Sequence, residues 1–371
     1  MNILQISIQA PGYNSGGTLG ILQFSYALTR NTKGIYIEPK IEVEDIEPWF
    51  EKTIYMFRKL TPVEKLQSLM HMEFDKYYIL WNEIDINFNE YDVIYIDFTR
   101  WQYVVKSIKK SGYKGKIIVR AHNVEKDYLR VDSKSQRTIS SYIKSILAGH
   151  REKYMVNMAA MILAITPEDK KRLIDLYKVE EQKIVVCPVG VNSSKCRKKK
   201  SVEKGQKLNC LITGSLWFGP NATGALWVLK EVMPKISDIC ELTIAGANPN
   251  NDITNACKET NTLLVASPES MKPYFEAADM VLVPIFDGGG MKTKTVEALS
   301  YGKSIVATDE GLEGFWQEMD STIQNRFVFK TNDENEWIKK LNEMSKEKPL
   351  KYNQEVFDLF VKKFSYEATR D

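Results

Sequence analysis

A chain of 371 residues exceeds the about 250–300 residues at which one hydrophobic core stops growing, so two domains are expected. Its 43% hydrophobic and 27% charged content is that of a globular protein, and no stretch approaches the about 20 uninterrupted apolar residues of a membrane-spanning helix. A net charge of +3 excludes the strongly basic footprint of a nucleic-acid reader, three histidines make a multi-histidine metal site unexpected, and five widely spaced cysteines outline neither a zinc nor a disulfide framework.

The start, Met1 to Ile8, has no basic leader and no small-residue cleavage site. It reads as a first strand, Asn2–Ile8, rather than a signal peptide, and the reducing cytoplasm is the expected compartment. The run Pro11-Gly12-Tyr13-Asn14-Ser15-Gly16-Gly17-Thr18 then forms a glycine loop ahead of a helix over Leu19–Thr29. Its spacing is not the G-x-G-x-x-G of a dinucleotide fold, which argues against NAD chemistry.

From Glu42 to Lys76 the alternation of strands and helices breaks. Trp49, Phe50, Tyr55, Met56, Phe57, Leu60, Leu66, Leu69 and Met70 recur at roughly helical spacing, as core residues or as an insertion facing an acceptor or a membrane. Strands follow at Asp92–Asp97, Lys116–Arg120, Ala160–Thr166 and Lys183–Cys187. Between them Arg120-Ala121-His122-Asn123-Val124-Glu125 leaves a strand at its carboxyl end, where open parallel sheets bind ligands. Thr166-Pro167-Glu168-Asp169 offers an N-cap, a proline at the first helical position and acids for the first turn, and Ser267-Pro268-Glu269 repeats that device.

The segment from about Asn192 to Lys207 has almost nothing to bury, so the boundary between a domain 1–192 and a domain 193–352 is placed there, with a helix about 353–371 expected to return to the first domain. Lys195, Arg197, Lys198, Lys199, Lys200, Lys204 and Lys207 crowd this segment, and Lys109, Lys110, Lys114 and Lys116 form a second cluster. They read either as solvated linker and helix-end lysines or as a surface attracted to an anionic membrane face.

Strands at Leu208–Thr213, Glu241–Ala245, Thr262–Ala266, Met280–Phe286 and Ser304–Thr308 build the second domain. Its most informative stretch runs from Met280 to Thr308: a strand, the glycines Gly288-Gly289-Gly290, then Met291-Lys292-Thr293-Lys294, a short helix closed by Gly302, and another strand. Glycines admit a ligand close to the backbone, and the following helix start offers unpaired amides and a positive dipole end. Lys292 and Lys294 would oppose that dipole unless an anion lay there, and a diphosphate supplies one. Glu297, one turn on, is placed to accept hydrogen bonds from ribose hydroxyls.

The run Glu297-Ala298-Leu299-Ser300-Tyr301-Gly302-Lys303-Ser304-Ile305-Val306-Ala307-Thr308, with Gly214-Ser215-Leu216-Trp217-Phe218-Gly219-Pro220-Asn221 as the opening of the domain, resembles the retaining glycosyltransferases of the GT-B fold, in the glycine-rich-loop subgroup of the large family-four group. The resemblance implies two Rossmann-like domains with parallel sheets facing across a cleft, a nucleotide-diphosphate sugar as donor, and a glycan, lipid-linked or protein-linked acceptor. It implies donor contacts from Gly214, Gly288, Gly289, Gly290, Met291, Lys292, Thr293, Lys294 and Glu297, with the base near Val265 and Ser267. Gly16 and Gly17 would face the phosphates or the acceptor, and His122 matches a histidine near the transferred sugar. His122, Lys292 and Glu297 are thus the catalytic candidates. No metal or other cofactor is expected, since lysines and amides can carry the charge, and retention follows from the resemblance alone. Many members carry a glutamate where this chain has Gly289, eight residues before Glu297, and a basic pair near the Gly214 loop that this chain lacks. A cytoplasmic enzyme, peripheral at the inner membrane face, is the expected setting. A nucleotide-sugar 2-epimerase and a non-catalytic subunit share the fold as alternatives.

Overall fold

The computed structural model describes residues 1–7, 9, 11–12, 16–29, 33–38, 52–56, 58–70, 77–136, 139–192, 207–347 and 351–370. Tyr13, Asn14, Ser15, Trp49, Phe50, Phe57 and the basic residues from Lys195 to Lys204 lie outside them. The chain divides into two compact units, Met1–Val189 and Gly190–Thr369.

Among the described residues the first unit holds seven parallel strands: β1 (Asn2–Ile6), β2 (Lys33–Glu38), β3 (Lys52–Tyr55), β4 (Val93–Asp97), β5 (Lys116–Ala121), β6 (Met161–Ala164) and β7 (Ile184–Val186), in the order β3-β2-β1-β4-β5-β6-β7. The second holds β8 (Leu208–Ser215), β9 (Cys240–Ala247), β10 (Leu263–Ala266), β11 (Met280–Val283), β12 (Ser304–Ala307) and β13 (Val328–Lys330), all parallel, in the order β10-β9-β8-β11-β12-β13. Helices stand between most consecutive strands and cover the sheets, which is why central strands read as unbroken apolar runs: every residue of β11 and β12 is buried. The edge strand β10 is only partly buried.

Leu4, Ile6, Ile94, Ile96, Val119 and Ile162 anchor the first core, and Ile212, Ile244, Leu282, Val306 and Trp337 the second. Each core forms inside its own unit, so each sheet positions its loops independently.

Three expectations are corrected. Among its described residues the stretch Glu42–Lys76 is not helical throughout, because β3 runs through it as an edge strand, followed by a helix over Pro62–Met70; Met56 is buried in the core while Leu66 is exposed. Ser267 does not cap a helix. It adopts φ +49 just past β10, and the helix begins at Lys272. Gly16 and Gly17 do not belong to a loop but open the helix Gly16–Thr29. Thr166 does cap its helix, accepting a hydrogen bond from Asp169 N at 2.9 Å.

The helix Gln354–Lys363 lies in the second unit, and Asn353 just before it donates to Gly302 O at 3.0 Å. Lys109 and Lys110 end the helix Gln102–Lys110 and Lys116 begins β5, so this lysine cluster sits at the amino edge of the first sheet, away from the edge carrying His122. Among the described residues, no helix is long and apolar enough to cross a membrane.

Candidate functional site

In both sheets the strand order reverses between the first and the fourth strand, and loops leaving the carboxyl ends of these neighbours diverge to leave a crevice. In the second unit that point lies between β8 and β11. The run Leu216–Asn221 after β8 and the run Pro284–Lys292 after β11 line it.

Gly214, near the end of β8, has φ +141, and a Cβ there would stand 3.0 Å from both Lys294 Nζ and Asn221 Nδ2. The backbone conformation disfavours any side chain, and a Cβ would push on the Lys294 amine and the Asn221 amide. Asn221 Nδ2 donates to Ser215 O at 3.0 Å, which aims its Oδ1 at Lys294 Nζ, 2.6 Å away. Lys294 is buried, and among the described residues this neutral amide oxygen is the one hydrogen-bond acceptor of its ammonium. Burial chiefly, and the charge of Lys292 next, push its pKa down to about 7, with Glu297 opposing.

Glu297 stands one turn further along the helix Thr293–Ser300, half-buried and making no hydrogen bond among the described residues. Burial pushes its carboxyl up to about 7 against the pull of Lys294. The amides of Thr293 and Lys294 have no acceptor among the described residues, and no side chain caps the helix. A desolvated cation therefore lies at the positive end of a helix with no anion hydrogen-bonded to it among the described residues. That arrangement holds an anion.

Lys292 does not join it. Its Nζ donates to Gly288 O at 3.1 Å and Gly290 O at 2.5 Å, and pairs with Glu310 at 2.7 Å and Glu313 at 3.3 Å. The side chain closes the glycine loop on itself and ties it to the segment after β12. Thr295 Oγ1 adds a bond to Gly311 O at 2.7 Å. Gly288 and Gly290 take φ +113 and +80 inside this closed loop, Gly289 faces open space, and Met291 is buried. Val265 lies in the edge strand β10, and Ser267 bonds to Gly246 O and Asn248 N, so the structure links neither to Lys294. Trp217, Phe218 and Phe286 stand exposed on the two loops at the crevice.

In the first unit the reversal lies between β1 and β4. His122, just past β5, is buried; its Nε2 meets Asp97 Oδ1 at 3.0 Å and its ring stacks on Phe98 at 4.1 Å. Asp97 also accepts from Gln5 Nε2 at 2.8 Å. A Cβ on Gly20 would lie 3.0 Å from His122 Cε1, so the helix Gly16–Thr29 presses its backbone on the ring, and Gly17 faces Phe98. Burial outweighs Asp97 and holds the imidazole pKa down to about 4, which keeps it neutral. Replacing Asp97 by alanine removes the buried acceptor of Gln5 Nε2 and the partner of His122 Nε2, and urea unfolding is expected to show a loss of about 2–3 kcal/mol.

Sequence reasoning passed over Asn221, Glu310, Glu313 and Asp97. Asn221 stands inside the run quoted for its resemblance, but only the folded loop reveals that its amide faces Lys294. Among the described residues no group of three His, Cys, Asp or Glu is placed to hold a metal.

Residues 207–347, which contain the whole crevice of the second unit, match the family described as Glycosyl transferases group 1. A Klebsiella pneumoniae protein, "Uncharacterized 44.6 kDa protein in cps region", is 30% identical over 119 residues, which is 29% of this chain and 30% of that protein. The chain thus matches less than a third of that relative's length. Among solved structures, sucrose-phosphate synthase from Thermosynechococcus elongatus superposes with a TM-score of 0.72 at 14% identity, over 100% of this chain and 96% of that one. Anabaena HepE in complex with UDP gives 0.63 at 10% identity, over 100% and 97%. The chain therefore has the two-domain parallel-sheet fold of the GT-B glycosyltransferases, and the part of it that carries Gly214, Lys294 and Glu297 is the part similar to glycosyl transferases group 1.

Proposed function

We propose that the protein is a glycosyltransferase that takes a sugar from a nucleotide-diphosphate sugar held on its second domain and passes it to an acceptor hydroxyl. The observation that carries this reading is the buried Lys294 ammonium, set against one neutral acceptor at the amino end of a helix. A diphosphate in the crevice supplies the missing negative charge, accepting from Lys294 and the Thr293 and Lys294 amides. Glu297, one turn along, takes the ribose hydroxyls, and Trp217, Phe218 and Phe286 border the donor.

As the bond from the anomeric carbon to the leaving oxygen lengthens, negative charge collects on the diphosphate, where the ammonium and the helix amides already point. Lys292 acts at one remove: by closing Gly288 to Gly290 and holding Glu310, it fixes the loop that places Lys294. Departure with retention and a glycan, lipid-linked or protein-linked acceptor belong to the same reading and come from the resemblance; operation without a metal belongs to it because the ammonium and the helix amides can carry the charge. The place of the Klebsiella relative, in a cps region, supports an acceptor of saccharide type. A thermal-shift panel of nucleoside diphosphates tests the donor half, since a ligand at about a hundredfold its Kd adds about 2.7 kcal/mol. A raised melting temperature with at least one diphosphate, absent with the matching nucleoside, is expected; no response to any of them refutes the reading.

The pH dependence has a definite sign. A bound diphosphate favours the ammonium form of Lys294, so affinity is full below about 7, the free-state pKa, and falls as pH rises above it. Ribose hydroxyls favour the ionised form of Glu297, so affinity is full above about 7 and falls as pH drops below it. Calorimetric titration with a nucleotide sugar, whose phosphates do not titrate in this range, is expected to give tightest binding near neutral pH, with proton uptake on the alkaline side and release on the acid side. A flat profile contradicts both assignments.

A further inference from the structure

The helix Ile139–Met158 carries two apolar stripes. Ser145, Ala148, Met155 and Val156 face inward and are buried. Ile139, Tyr142, Ile143 and Ile146, at the i, i+3, i+4, i+7 spacing of a single face, are 82%, 63%, 40% and 50% exposed. A packed helix has use for one such stripe, so the outer one calls for a partner.

The placement of this stripe is defined by its neighbours. Ala160 N donates to Ile117 O at 2.8 Å, so the helix ends at the amino edge of the first sheet. Glu152, part-way along, accepts from the amides of Glu125 and Lys126 just beyond the carboxyl edge. Residues 139–151 therefore run about 20 Å past that edge. They form, with the helix Glu125–Gln136, a hairpin that projects on the side where His122 lies. Below the exposed stripe is a groove of about 540 Å³ lined by Lys126, Arg130, Tyr142, Ile146, His150 and Lys153. Lys144, on the same helix, is exposed. Of the hairpin's acids, Glu125 and Glu152 are buried and Asp127 is paired with Arg172 at 2.6 Å.

We infer that this hairpin is a docking element for an anionic lipid surface, its isoleucines and Tyr142 entering the interface and the basic groove receiving phosphate headgroups. An apolar ridge flanked by cations matches that surface in both respects: apolar area enters the acyl boundary while lysines and arginines meet negative headgroups. The lysine cluster at Lys109–Lys116 lies on the opposite edge of the sheet, where the exposed apolar residues are the two methionines Met158 and Met161 rather than a helical stripe. Docking by the hairpin would present the carboxyl edge of the first sheet to the lipid, where a lipid-attached acceptor comes within reach.

The inference concerns a surface of the first domain and does not depend on the nucleotide reading. Cosedimentation of the full chain with vesicles of phosphatidylcholine containing about one-third phosphatidylglycerol tests it, with pure phosphatidylcholine as the comparison. Expected are binding to the anionic vesicles that weakens with added salt, and a loss of about tenfold or more in Ile139→Glu/Ile143→Glu and in Lys126→Glu/Lys153→Glu. Because the two isoleucines are exposed, the first variant is expected to keep the wild-type melting temperature and the wild-type shift with nucleoside diphosphate. No vesicle binding, equal binding to neutral and anionic vesicles, or unaltered binding by both variants overturns the inference. A wild-type dimer that Ile139→Glu/Ile143→Glu converts to monomer overturns it as well, since the stripe would then be covered by a second copy. Loss of the nucleotide response with vesicle binding intact would strike the donor reading alone.

Discussion

Replacing Lys294 by methionine is expected to lower kcat/KM for the nucleotide sugar by about a hundredfold to a thousandfold, the range in which removal of one preorganised partner of a developing charge falls. The same change is expected to leave the ligand-free melting temperature unchanged or raise it. Methionine keeps the buried stem and removes a charge that the fold holds at a cost, as the lowering of its pKa to about 7 registers. Activity and stability should therefore part company, which a merely structural lysine would not allow. Lys292→Met makes the contrast. That side chain bonds to Gly288 O and Gly290 O and pairs with Glu310 and Glu313, so its loss should loosen the loop and lower stability, with a smaller effect on kcat/KM of about tenfold. Steady-state kinetics and thermal melts on the two variants, side by side, check the pair of expectations.

The second large effect is expected at Gly224, in the helix Gly219–Trp227 that follows β8. A Cβ at this residue would lie 1.7 Å from Pro284 O and 2.8 Å from Pro284 C, backbone atoms at the root of the glycine loop. Contacts that short do not occur, and both elements are backbone, so helix or loop must move. Gly224→Ala is expected to cost about 3 kcal/mol or more, at the upper end of overpacking effects, and to weaken nucleotide binding about tenfold because the displaced segment is the one that carries Lys292 and Lys294. Urea unfolding and calorimetric titration of the same variant measure the two parts. An alanine variant as stable as the wild type would mean that the helix and the loop are not in direct backbone contact.

Gly224 also marks where the sequence stops being legible. A glycine inside a helix costs about 1 kcal/mol against alanine and so advertises a reason for itself, but the neighbour that imposes it lies 60 residues away, across β9, β10 and β11. The alternation of apolar runs and amphipathic stretches was enough to indicate parallel sheets, because strands buried on both faces carry unbroken β-branched sequences. The strands that escaped notice, β2, β3 and β13, include the outermost strands at one end of each sheet. β13 is three residues long, and β3 has four, two of them Lys52 and Thr53; such strands need little apolar sequence and print little of it.

Within the site the glycine run, Lys294 and Glu297 stood out because residue type and spacing alone put a cation and an acid on the first turns of one helix. Lys292 illustrates the limit. Its spacing made it equal to Lys294, and nothing local distinguishes the two; the difference is Glu310 and Glu313, delivered by the loop after β12. His122 was legible as a residue at a strand's carboxyl end, but its burial under Gly20 and its bond to Asp97 depend on the packing of a helix a hundred residues earlier.

The central claim is that Lys294 is held out of water to receive a diphosphate. A crystal structure of the protein with a bound nucleoside diphosphate tests this most directly. The account predicts a phosphate oxygen within about 3 Å of Lys294 Nζ and of the Thr293 or Lys294 amide, with a ribose hydroxyl on Glu297 and Lys292 still bonded to Glu310. A diphosphate bound elsewhere while Lys294 stays on Asn221 alone would contradict it.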